Sequence, residues 1–136
     1  MQRKLDHHAA LIYTMVMVSA ADRISDAELD IMTYLVEHLP IFQDFDRSRI
    51  DDLGRECAEL LDQEDGLDLA LELIADALPA PLRETAYALA CDVVAADGAA
   101  MQLELRMLEM LRHRLNLDRL VASAIERAAS ARHRIA

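Results

Sequence analysis

Residues 85–104 read TAYALACDVVAADGAAMQLE, and their pattern decides the fold. Positions 86–96 are apolar on every side except at Asp92, a pattern that a helix shows when it is buried all round. Asp97-Gly98 interrupts the run, and a new helical period opens with Glu104 and continues through Leu105, Leu108, Leu111 and Leu115. One acid closes a helix and another opens the next.

The same design stands near the N-terminus, where residues 9–22, AALIYTMVMVSAAD, close on Asp22 and Glu28 opens the following amphipathic stretch. Setting Asp22 on Asp97 places Ile12 on Tyr87, Met15 on Ala90 and Val18 on Val93. Beyond a loop one residue longer in the second copy, Glu28 falls on Glu104, Leu29 on Leu105, Met32 on Leu108, Leu35 on Leu111 and Leu39 on Leu115. Two such helix pairs are expected to cross their apolar members at the centre, giving a pseudo-two-fold bundle with the other helices around it.

Composition agrees with a helical domain. The 136 residues are 54% hydrophobic, rich in Ala, Leu and Met, with 3 Gly, 3 Pro and 4% aromatics. That balance favours helix over strands, which draw on β-branched and aromatic residues. A chain of this length fits one domain, residues 1–136, with a core that needs no staples. Cys57 and Cys91, each on the apolar face of a helical pattern, read as small core residues in a reducing compartment, so a cytoplasmic protein is expected. The opening residues carry no convincing signal peptide, and the longest apolar run, residues 9–21, falls short of a membrane span.

The net charge of -11 repels phosphate backbones and argues against nucleic-acid binding. It would attract cations or a basic partner, or serve solubility alone. Bases gather at the two ends, Arg3 and Lys4 first and Arg127, Arg132, His133 and Arg134 last, where they could meet an acidic partner or do nothing.

Seven helices are expected, over about residues 3–21, from the cap at Ser25 to 39, from Asp46 or Ser48 to 61, and over 67–78, 81–96, 102–115 and 118–134. Ser25-Asp26-Ala27-Glu28 reads as a capping box, and Pro40 stops the second helix. The second helix should bury Leu29, Met32, Leu35, Val36 and Leu39. The third should bury Ile50, Leu53, Cys57, Leu60 and Leu61, and the last Val121, Ala124, Ile125 and Ala128 behind Asp118 as N-cap. The aromatics of residues 41–45 should tuck under the core. Asp92, inside an apolar helix, needs an ion pair with an arginine such as Arg83 or Arg106, a polar seam, or a place in a polar site.

The corner acids invite a functional reading. Asp22 and Asp97 sit at helix C-termini, where the macrodipole disfavours an anion. Asx-type turns would offset this, as would a cation held between the Asp, loop carbonyls and the Glu that opens the next helix. The capping box alone accounts for Glu28, whereas Met101, three residues before Glu104, cannot reciprocate in the same way. The separations are too short for an EF-hand, and a hard cation wanting six or more oxygens would need water, Asp26 or the other corner. Ca²⁺ or Mg²⁺ is favoured over Zn²⁺, because no Cys or His lies near either loop.

Enzyme templates are missing: there is no H-E-x-x-H, no glycine-rich phosphate loop and no nucleophile elbow. His7 and His8, being adjacent, should point apart, and Glu109 with His113 reads as a solvated pair.

Taken together, the Ala95-Ala96-Asp97-Gly98 corner, Glu104 and its Leu-rich helix, and the earlier Ala20-Ala21-Asp22 to Glu28 copy resemble the TerB-like family of bacterial tellurite-resistance and stress-response proteins. The resemblance implies an all-α, non-enzymatic accessory protein with acidic corners suspected of binding a divalent metal, at Asp22, Glu28, Asp97 and Glu104 here. It also implies protein partners, some of them membrane-associated, and a cytoplasmic or inner-membrane-facing location. A similar module in a membrane-anchored DnaJ-type co-chaperone acts as an interaction unit, which is the alternative role. Arg23, where the family usually has Gly, departs from the pattern in the first corner.

Overall fold

Because residues 7–19 offer no polar stripe, the helix they form has to lie at the centre. It does so in the computed structural model, which describes residues 4–19, 24–96 and 102–136 and so leaves Asp22, Asp97 and both corner loops outside the described residues. The elements are α1 (His7–Ser19), α2 (Asp26–His38), α3 (Ile50–Leu61), α4 (Gly66–Ala77), α5 (Ala80–Ala95), α6 (Gln102–Arg114) and α7 (Arg119–Arg132). The described residues contain no strand, so the bundle is all-α as expected.

Asp6 starts α1 later than the apolar pattern alone predicts, because its carboxylate accepts from the amide of Ala9 at 2.8 Å and satisfies an orphan donor of the first turn. Leu11, Tyr13, Met15, Met17 and Val18 point in all directions and are all buried. The two hydroxyls of this helix bond back to it, Thr14 to the Ala10 carbonyl at 2.8 Å and Ser19 to that of Met15 at 3.0 Å. Buried polar groups cost little when they are satisfied in this way.

α1 packs most extensively on α5, whose Ala86, Leu89, Ala90 and Val93 are buried, and α3 and α4 close its other sides. The two second members of the hairpins reach across, α2 onto α5 and α6 onto α1 as well as α5. Pro40 ends α2 and opens a single 3-10 turn, Pro40–Phe42, that drives Phe42 and Phe45 into the core against His8. The buried His8 ring donates through Nε2 to the Ile41 carbonyl at 2.8 Å, which makes it a satisfied core residue. Its neighbour His7 does not point away: the two rings are tilted at 44° with centroids 4.1 Å apart.

Arg83 joins three helices. Its guanidinium donates to the Ala75 carbonyl at 2.8 Å, to Leu78 at 3.0 Å and to Leu115 at 3.2 Å, capping the C-terminal ends of α4 and α6 from the first turns of α5. Helix-end carbonyls are where such donors are needed, and only that of Ala75 also accepts from its own helix end, from the Leu78 amide at 3.4 Å. Asn116, in the left-handed region at φ 54°, ends α6 with bonds from its amide to His113 and from the Leu117 amide to Arg112, the Schellman pattern.

On α2 and α6 the expected inward stripe holds except at its first member, and on α7 the buried face differs. Leu29 and Leu105, expected inside, are 50% and 47% exposed. Glu28 and Glu104 take the inward positions instead, heading the series Glu28, Met32, Leu35, Leu39 and Glu104, Leu108, Leu111, Leu115. On α7 the buried residues are Ala122 and Ala129, while Ala124 and Ala128 face water, a shift of about a quarter of a turn.

Candidate functional site

The two glutamates that open α2 and α6 occupy corresponding places in the sequence and are both buried, at 2% and 4% exposure. Around Glu28 the backbone explains half of the arrangement. Ser25, extended at φ -81° and ψ 162°, accepts from the Glu28 amide at 3.1 Å, and the Glu28 carboxylate accepts through Oε1 from the Ser25 amide at 2.9 Å. This is the capping box expected from Ser25-Asp26-Ala27-Glu28. The other oxygen, Oε2, is buried without a hydrogen-bond partner among the described residues. A buried carboxylate oxygen that finds no donor is costly, and a proton, a cation or a further donor is what ordinarily offsets it.

Glu104 sits in the first turn of α6, where the helix dipole favours an anion, and it too has an interaction partner. Asp22 and Asp97, the other halves of the two corners, lie outside the described residues. Among the described residues no three His, Cys, Asp or Glu side chains stand close enough together to hold a metal ion, so a complete cation site would have to draw on the corner loops.

Asp92 has a different role. Its carboxylate accepts from Arg132 at 2.6 Å and faces His133 Nε2 at 3.3 Å, so the end of α7 is pinned to the middle of α5. An ion pair was the expectation, but with Arg83 or Arg106; Arg83 is engaged by the three helix-end carbonyls. One turn earlier Tyr87 donates its hydroxyl to Glu126 at 2.5 Å. Burial, followed by this bond to a carboxylate, pushes the phenol well above its ordinary range.

Between α6 and α7, with α5 as its floor, lies a groove of about 800 Å³. Tyr87, Cys91 and Val94 form the floor, and α7 turns only small or polar residues toward it, such as Ala122, Ser123 and Ser130. Sequence reasoning missed this groove. The available signal was the alanine-rich face of the last helix, which cannot fill the space beside the bulkier α6. Burial pushes both thiols up to about 12, which keeps Cys57 and Cys91 protonated and unreactive as nucleophiles.

Fold and site together define an all-α bundle in which the first-turn glutamates of α2 and α6 are buried. No protein-family model, no curated protein and no solved structure matches the chain.

Proposed function

We propose that this chain is a non-enzymatic accessory protein of the TerB-like kind, acting in bacterial tellurite resistance or stress response. In this reading it holds a divalent cation, Ca²⁺ or Mg²⁺ before Zn²⁺, at Asp22, Glu28, Asp97 and Glu104, and docks to protein partners in the cytoplasm or beside a membrane. The observation that carries the reading is the buried Glu28 carboxylate with Oε2 unpartnered among the described residues. The burial of Glu104 at the corresponding position adds to it. Two helices rotate their first-turn acids inward and leave Leu29 and Leu105 in water, an arrangement that hydrophobic burial alone disfavours.

A second reading rests on that same exposure. Leu29, Tyr34, Leu103 and Leu105 on α2 and α6 are all between 47% and 55% exposed, as in a structural module that binds partner proteins without metal.

Melting curves with Ca²⁺, Mg²⁺, Mn²⁺ or Zn²⁺ against chelator separate the two. A cation at one hundred times its dissociation constant should stabilise by about 2.7 kcal/mol, or roughly 9 °C for a domain of this size. Asp97→Asn with Glu104→Gln should abolish the shift. If no cation raises the melting temperature and the double variant behaves as wild type, the cation reading fails. Partner binding indifferent to chelator then supports the structural module.

A further inference from the structure

The groove over α5 has no part in the corner chemistry and offers a separate site. We propose that it binds a single-chain fatty acid, with the alkyl chain along α5 between α6 and α7 and the carboxylate at Arg112 and Arg119.

The floor argues for an alkyl chain. From Tyr87 to Ala95 the lining α5 segment runs about 12 Å, and between its ends it presents Cys91 and Val94, to which α6 adds Leu105 and Leu108. The Cys91 thiol stays neutral and the Tyr87 hydroxyl is spent on Glu126, so the floor has little left to hydrogen-bond a sugar, base or peptide backbone. An apolar floor of this kind suits an alkyl chain, while the polar and charged groups of the groove gather on its walls and rim.

The rim argues for an anion. The chain carries 25 acids against 14 bases, yet the groove is lined by three arginines, Arg112, Arg119 and Arg134, against two acids, Glu109 and Glu126. This local excess of cations reverses the sign of the whole protein, and Glu126 is tied to the Tyr87 hydroxyl. The end with Arg112 and Arg119 suits the head group best. There α6 finishes and α7 begins, Arg112 lies near enough to Tyr87 for its charge to bear on the phenol, and Arg119 stands in the first turn of a 14-residue helix whose dipole favours an anion. Arginine also presents a fork that matches a carboxylate.

The test uses the full chain and fluorescence titration with 11-(dansylamino)undecanoic acid, followed by displacement with dodecanoate. Saturable one-site binding is expected, with dodecanoate displacing the probe below its micelle-forming concentration. Ser130→Phe, an exposed wall residue whose enlargement fills the groove, should weaken the probe at least tenfold. Ser123→Trp does the same from another position, should the first variant fail to fold. Arg112→Gln with Arg119→Gln should weaken dodecanoate at least fivefold and leave dodecanol unchanged. The proposal is overturned if the probe does not saturate, if both wall variants bind like wild type, or if the arginine pair has no effect. Association only with phosphatidylglycerol vesicles, and none with monomeric dodecanoate, would overturn it too, in favour of a membrane surface.

Discussion

Replacing Arg132 with alanine should loosen α7 without unfolding the bundle. The apolar hold on this helix is modest: its fully buried side chains are Ala122 and Ala129, at most one methyl group each and about 1.6 kcal/mol together at 0.8 kcal/mol per carbon, with Ile125 partly buried against the core beside them. Polar anchors to α5 are therefore of comparable size. A hydrogen bond to a charged group is worth about 1.5 to 3 kcal/mol, and the Asp92 side chain is only 12% exposed. Arg132, at 53%, is half in water, so screening trims the figure to about 1 to 2 kcal/mol. Local opening of α7 should then rise roughly five- to thirtyfold. Native-state hydrogen exchange reads this directly. Amides of the second half of α7 should exchange faster by that factor in Arg132→Ala, and those of α1 and α5 should keep their rates. Unchanged α7 rates would refute the claim that the Asp92 contact holds the helix. An equal rise in α1 and α5 would refute the claim that α7 opens on its own.

Three further outcomes are expected. Gly54→Ala should stabilise by about 0.5 to 1 kcal/mol, since a Cβ there meets nothing within 4 Å, whereas Gly66→Ala, whose Cβ would fall 2.0 Å from the Leu60 carbonyl oxygen, should destabilise by about 1 to 3 kcal/mol; urea midpoints of the two variants check both signs. In native protein at pH 8 neither thiol should react with Ellman's reagent at the rate of a free cysteine, because burial pushes each up to about 12, and both should react at once in denaturant. Burial pushes the Asp6 carboxyl up, but the Ala9 amide and the Arg49 guanidinium at 3.0 Å outweigh it and hold the carboxyl below its ordinary value. A depressed folded pKa means a contribution that is full above the unfolded value near 4 and is lost as pH falls through the folded one. The stability gap between wild type and Asp6→Asn should accordingly be steady from pH 7 to 5 and shrink as pH drops below about 4.

The helices were legible because their periods are strong and their ends chemically marked. Ser25 with Glu28, Pro40, Pro79 through Pro81 and Asp118 each fall within a residue or two of an observed boundary. Rotation about the helix axes was harder to read. The stripe through Met32, Leu35 and Leu39 can open with either Glu28 or Leu29, which stand about 100° apart, and hydrophobicity favours Leu29. The bundle adopts Glu28 instead, because it closes the capping box and faces inward from it. On α7 Ala122 and Ala124 are chemically identical, so only the Asp92 and Tyr87 contacts, some forty residues away in the chain, decide which faces α5. The choice of Arg132 for Asp92 was hidden for the same reason: thirteen arginines compete, and proximity is settled by topology. Of the candidate site, the two glutamates were named from sequence, but their depth was not.

The guanidinium at Arg83 has a bearing on how this chain could drift over time. Three carbonyls on three separate directions need a flat, five-donor group, and a lysine's single nitrogen could not reach Ala75, Leu78 and Leu115 together. Position 83 is therefore a knot tied once, and the lengths of α4 and α6 are both set against it. An inserted residue near the close of either helix would slip that knot, whereas the exposed outer faces of α3 and α7 can vary with little consequence.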